Sequence, residues 1–160
     1  MRTETVTIYK FNELPEAAQQ RAISDWRNVG EPYVLWSEAR ASLEAFAEHF
    51  GVRIKDYSVG VWGNSYVETD AENRHFRGLK LRDFDPDHMP TGYCADCSLW
   101  GTFYKHWKQT GDAMAAFNEA VDAWIRDVVA DMKYQDSDEA ISETLEANEY
   151  DFTEDGEIWH

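Results

Sequence analysis

Between Asp112 and Met132 the apolar positions recur at intervals of three and four: Met114, Phe117, Val121, Trp124, Ile125, Val128 and Met132. That spacing is the inward stripe of an amphipathic helix. Asn118, Glu119, Asp122, Arg126, Asp127 and Asp131 occupy the opposite face. Gly111 breaks the chain just before it, and Thr110 and Asp112 are both suited to cap it. So wide a stripe needs a partner surface, and this helix is expected to form the spine of the core.

Three shorter stretches carry the same period. Phe11-Asn12-Glu13-Leu14-Pro15 reads as the entry to a helix that runs to about Asn28. Asn12 is placed to cap it, Pro15 suits its first turn, and Phe11 can staple onto the turn below. Ala18, Ala22, Ile23 and Trp26 form its inner face, and Arg21 and Asp25 can pair on the outside. Gly30, Glu31 and Pro32 interrupt the chain. A second helix begins at Val34 or Leu35 and ends at Gly51, which suits a C-terminal cap. Its inner face is Leu35, Ala39, Leu43, Phe46, Ala47 and Phe50. Ser137 to Asn148 predicts a further helix, with Asp138 and Glu139 favoured in its first turn. Ala140, Ile141, Leu145 and Ala147 supply its apolar contacts.

Elsewhere the period is two. Thr3 to Lys10 predicts a strand with Val6, Ile8 and the stem of Lys10 on one face. Val52–Lys55 and Tyr57–Trp62 read as one bent strand or two short ones. Gly63-Asn64-Ser65 is turn chemistry, and Tyr66–Thr69 returns to make a hairpin. Asp83, Asp85, Pro86, Asp87, Pro90 and Gly92 mark a loop, and aromatic Ser98–Trp107 is a strand or a short helix. The tail, Tyr150 to His160, with Phe152, a turn at Asp155-Gly156 and then Ile158-Trp159, is expected to return as an edge strand. Strands and helices do not alternate strictly. The expected fold is therefore α+β: a single domain over 1–160, with a small, mostly antiparallel sheet packed against three to four helices.

Composition adds that apolar residues, 43%, and aromatics, 14%, are enough for a real core. Seven Trp, eight Tyr and eight Phe in 160 residues are too many to bury entirely, so some are expected at the surface as contact anchors. No run of apolar residues is long enough to span a membrane, and the first ten residues lack the apolar region of a signal peptide. Two Cys fit a reducing cytoplasm.

The charge is lopsided. Of the net −16, residues 134–160 carry ten acidic and no basic side chains. Clustered Lys and Arg are what a nucleic-acid backbone requires, so direct nucleic-acid binding is not expected. A partner with a basic surface is. Glu143, Glu146, Glu149, Asp151, Glu154, Asp155 and Glu157, interleaved with Tyr150, Phe152 and Trp159, form the candidate contact surface. The plain alternative is a solvated face that keeps the protein soluble. The sharper reading is a row of carboxylates standing in for nucleic-acid phosphates, since helix turns space charges by roughly 5.4 Å.

Cys94-Ala95-Asp96-Cys97 is the one CxxC, with His88 six residues before it and His106 nine after. These four could complete a tetrahedral structural zinc site, although the His spacing fits no common zinc module. Two free thiols near a core edge are the plainer reading, and a redox pair, which would open a helix after a strand, is the third. Asp83, Asp85, Asp87 and His88 lie in one short run, its acids alternating as cation ligands would. Pro86 interrupts them and no distal Glu follows, so a solvated loop is expected. His49 near a helix end suits packing or a terminal charge. No nucleophile elbow, Gly-rich phosphate loop or HExxH occurs, so an enzyme is not expected, nor a cofactor beyond that zinc.

Two segments resemble one family. The first is Ile8-Tyr9-Lys10-Phe11-Asn12-Glu13-Leu14-Pro15-Glu16-Ala17-Ala18, followed by Ala22 and Trp26-Arg27. The second runs from Tyr134 to Gly156 and contains SDEAISETLEANEYDFTEDG. They resemble small acidic proteins of phages and prophages, which open on a strand, an F-x-E-L-type turn and a helix. Those proteins close on S-D-E-A-I-x-E-T-I-x-A-N-x-Y-x-F-T-x-D-G. Tyr57 to Tyr66 loosely resembles the family's aromatic middle strand, and the CxxC region has no counterpart.

The resemblance implies phage origin and no catalytic residues; some members carry an antitoxin label. Together with the charge, it leads to the expectation of a non-enzymatic inhibitor of a host nucleic-acid-handling defence complex, of the CRISPR or restriction kind, acting in the host cytoplasm. An antitoxin-like neutraliser of a basic toxin is the alternative. A zinc-stabilised domain or metal enzyme built on Cys94, Cys97, His88 and His106 is the third.

Overall fold

The computed structural model describes residues 1–29, 33 and 35–160; Gly30, Glu31, Pro32 and Val34, where the sequence places a chain break and a helix start, lie outside the described residues. The described elements are β1 (Tyr9–Lys10), α1 (Glu16–Val29), α2 (Trp36–His49), β2 (Ile54–Ser58) and β3 (Tyr66–Thr69). After them come α3 (Thr102–Thr110), α4 (Ala113–Gln135), α5 (Asp138–Ala147) and β4 (Asp151–Phe152). Helices with two two-stranded antiparallel sheets, β1–β4 and β2–β3, make this an α+β fold. The chain resolves into two compact units, Met1–Tyr33 with Lys133–His160, and Val34–Met132.

In the unit Val34–Met132 the core is helix against helix. Asp112 caps α4, its Oδ1 accepting from Ala115 N–H at 3.0 Å. Phe117, Val121, Trp124 and Val128 are buried as their spacing predicts, whereas Met114, Ile125 and Met132 are only partly covered. Ala116, Ala120 and Ala123 complete the buried face. Phe46 of α2 stacks on Phe117 at 5.2 Å and meets Trp100 edge-on at 5.0 Å. Trp124 donates its indole N–H to Ala39 O at 2.9 Å.

The end of α2 is a Schellman turn. Gly51 takes φ +68°, its N–H reaches Glu48 O, and Val52 N–H reaches Ala47 O, both at 2.9 Å. The hairpin forms with Tyr57 opposite Val67 and Ser58 opposite Tyr66. Its first strand stops at Ser58, short of the expected Trp62. Ser98–Trp107 is helical: a π-helical turn over Cys97–Gly101 leads into α3. Leu99, Trp100 and Phe103 stand at helical spacing and are fully buried, which decides against a strand.

In the other unit α1 and α5 enclose a core of Phe11, Leu14, Ala18, Ala22, Ile23, Ile141, Leu145 and Phe152. Ser137 caps α5, accepting from Ala140 N–H at 3.2 Å. Phe11–Glu13 is a separate 3₁₀ turn, so Asn12 does not cap α1 as expected; the carbonyl of Pro15 instead accepts from Gln19 N–H at 2.9 Å. The predicted strand Thr3–Lys10 shrinks to Tyr9–Lys10, paired with Phe152 and Asp151. A strand needs a partner, and β4 offers two residues before the chain turns at Thr153–Glu157, so Val6 and Ile8 stay exposed. That turn closes through Thr153 N–H to Glu157 O at 2.8 Å, which brings Ile158 back beside Phe152.

Candidate partner-binding surface

The acids of residues 134–160 fall into two groups. Arg27 of α1 binds Asp138 and donates its Nε–H to Asp136 O at 3.1 Å. Arg21 binds Glu157. Lys10 Nζ donates to Asp151 Oδ1 and to Glu149 O, both at 2.7 Å. Its ammonium is held above the usual lysine range, first by the hydrogen bond to Asp151. Asp151 and Glu157, both candidate partner contacts, are thus engaged within the unit.

The second group is Glu139, Glu143, Glu146, Glu149, Glu154 and Asp155. All are exposed, and none makes an ion pair among the described residues. On α5, Glu139, Glu143 and Glu146 are spaced four and three apart and share one face. Tyr134 OH donates to Glu143 Oε2 at 3.5 Å, and the neighbouring Glu143 charge raises the tyrosine's pKa. Glu149 follows α5 with φ +54°, a left-handed position that a glycine or asparagine usually fills.

The aromatic anchors require correction. Phe152 is 0% exposed and packs edge-on against Phe11 at 6.0 Å, so it belongs to the core. Tyr150 is half-buried against Trp26 at 5.6 Å. Both turn toward the core of their unit, Phe152 within it and Tyr150 packed against it. Trp159 alone of the three stands out, at 46% exposure. Tyr134, 48% exposed beside Glu143, was not singled out by sequence reasoning, although it adjoins the acidic run.

The four zinc candidates do not converge. Cys94 and Cys97 are free and exposed. His88 packs on Trp100 at 5.3 Å and lies 6.3 Å from the His49 ring, while His106 lies on α3. Among the described residues no three of His, Cys, Asp or Glu stand close enough to hold a metal ion, and the Asp83–Asp87 run forms no such group either.

Beneath the CxxC lies a buried carboxylate. Asp96 is 0% exposed, and its Oδ2 accepts from Thr91 N–H at 3.1 Å and from the Thr91 hydroxyl at 2.9 Å. Thr91 Oγ1 lies 3.0 Å from Ser42 Oγ on α2, and Asp96 Oδ1 has no partner among the described residues. An aspartate between two cysteines gives no sequence signal of burial; the sign was its place one turn before Leu99 and Trp100. The chain matches no family model, no curated protein and no solved structure.

Proposed function

We propose that this is a phage-encoded, non-enzymatic binding protein that inhibits a host nucleic-acid-handling defence complex by presenting carboxylates to its basic surface. One observation carries the reading: six exposed acids of residues 134–160 have no ion-pair partner among the described residues, while their neighbours are neutralised by Lys10, Arg21 and Arg27. An acidic surface serving only solubility has no need for order. Here Ser137 caps the helix that carries half of these acids, and β1 pins the strand that follows. Carboxylates held on a fixed frame lose little entropy on contact and steer a basic partner from a distance. Trp159 and Tyr134 supply apolar contact at the margins.

The test is capture of partners from host lysate at low and high salt. The comparison is a variant carrying Glu143→Lys, Glu146→Lys, Glu154→Lys and Asp155→Lys. A single nucleic-acid-binding partner, displaced by added DNA or RNA and lost with the variant, is the expected result. Retained binding by the variant sinks the mimicry.

A further inference from the structure

We propose that Cys94 and Cys97 form a redox-active vicinal pair, closing reversibly to a disulfide by exchange with small-molecule disulfides of the glutathione type. The inference does not rest on the acidic surface.

Three observations carry it. The first is the turn. Cys97 N–H donates to Cys94 O at 3.1 Å, and Asp96 has helical backbone angles. Residues three apart in such a turn have Cα atoms about 5–6 Å apart. That lies inside the span of about 4.4–6.8 Å that a disulfide bridges. The second is burial. Over 94–97 the pattern is exposed, buried, buried, exposed, so both sulfurs share the outward face while Ala95 and Asp96 face the core. The third is anchoring. Asp96 holds Thr91, and Thr91 meets Ser42 of α2, so the segment leading into Cys94 is tied down from beneath. The cysteine pair also opens a helical run that continues through Cys97–Gly101 into α3, as a redox CxxC does, with a loop rather than a strand before it.

The contact Cys97 makes with Met89 is a weak one. Its Sγ lies 3.4 Å from Met89 Sδ, a thioether and weak acceptor that does not sequester the thiol. The exchange proceeds in two displacements. One cysteine thiolate attacks a sulfur of glutathione disulfide, expelling one glutathione thiolate and leaving a mixed disulfide. The second thiolate attacks the protein-side sulfur, forms the Sγ–Sγ bond and expels the other glutathione thiolate. The two cysteine protons pass through solvent to the two thiolates released. The protein loses two electrons and glutathione disulfide gains them. Because the turn keeps Cys94 and Cys97 one turn apart, the second step is intramolecular and outcompetes a further glutathione molecule.

The test equilibrates the full-length protein anaerobically in glutathione buffers of graded ratio, followed by acid quench, maleimide labelling and intact mass. Expected is a two-electron transition in which both thiols lose reactivity together and the chain loses two hydrogens. Cys94→Ser and Cys97→Ser are each expected to stop at a single glutathione adduct. Thiols that stay reactive throughout the series, or wild-type protein that accumulates mixed disulfides, overturn the proposal. The wild-type titration decides it even where a variant folds poorly.

Discussion

Gly156 lies against the backbone of Ala18. A methyl group built on its Cα would stand 2.2 Å from the Ala18 carbonyl oxygen and 2.9 Å from the carbonyl carbon. Its φ of +87° is also a value that side chains disfavour. The turn after β4 thus packs backbone to backbone on α1, and only glycine fits. Gly156→Ala is expected to cost about 3 kcal/mol or more, from clash and strain together. Gly51→Ala is the control: φ is +68° but no atom lies within 4 Å, so about 1–2 kcal/mol is expected. Urea denaturation of both variants checks this, and equal costs would refute the close approach.

Phe152 and Trp159 separate core from surface within one short segment. Phe152→Ala removes a fully buried ring packed on Phe11, and a loss of about 3–5 kcal/mol is expected. Trp159→Ala, at 46% exposure, is expected to change stability by less than about 1 kcal/mol while weakening partner capture. A Phe152→Ala protein as stable as wild type would mean that β4 does not anchor the tail.

His49 gives stability a pH slope. Its pKa lies below the ordinary value of 6.5, first because burial against Phe50, Phe84 and Trp100 disfavours the charged ring, and second because His88 adds like charge. The unfolded chain therefore takes up this proton more readily than the folded one. Stability is full above 6.5 and falls as pH drops through 6.5 toward the depressed folded value. The ring is partly exposed, so the effect is modest. His49→Gln should flatten the stability slope between about pH 7.5 and 5.5. Parallel slopes for the two proteins would remove His49 as the cause.

Unpaired carboxylates on one surface repel one another. Raising salt from about 0.01 M to 0.15 M shortens the screening length from about 30 Å to 8 Å. The melting temperature of the wild type should therefore rise over that range. The quadruple lysine variant at Glu143, Glu146, Glu154 and Asp155 should lose this dependence or reverse it. A wild type indifferent to salt would mean that these charges are too far apart to interact.

The part of this fold that can be read from residue order is local. The spine helix, the helix ended by Gly51, the helix opened by Ser137 and the hairpin around Gly63 were all readable. Apolar period, caps and turn residues act within a few positions of the chain. The return of the tail was readable for the same reason, since the turn residues at Asp155-Gly156 lie between Phe152 and Ile158, which the structure brings side by side. The helix after Cys97 was half readable, because its aromatics fit a strand as well as a helix until burial selected one.

Tertiary structure alone decided which acids are free. Lys10 reaches Asp151 across 141 positions and Arg21 reaches Glu157 across 136, distances at which sequence pattern carries no information. It also buried Phe152 and Asp96, pressed Gly156 onto Ala18 and left the predicted first strand only two residues of partner. Each of these depends on which surfaces the chain brings together, and pairing, burial and close approach are properties of those surfaces rather than of local spacing.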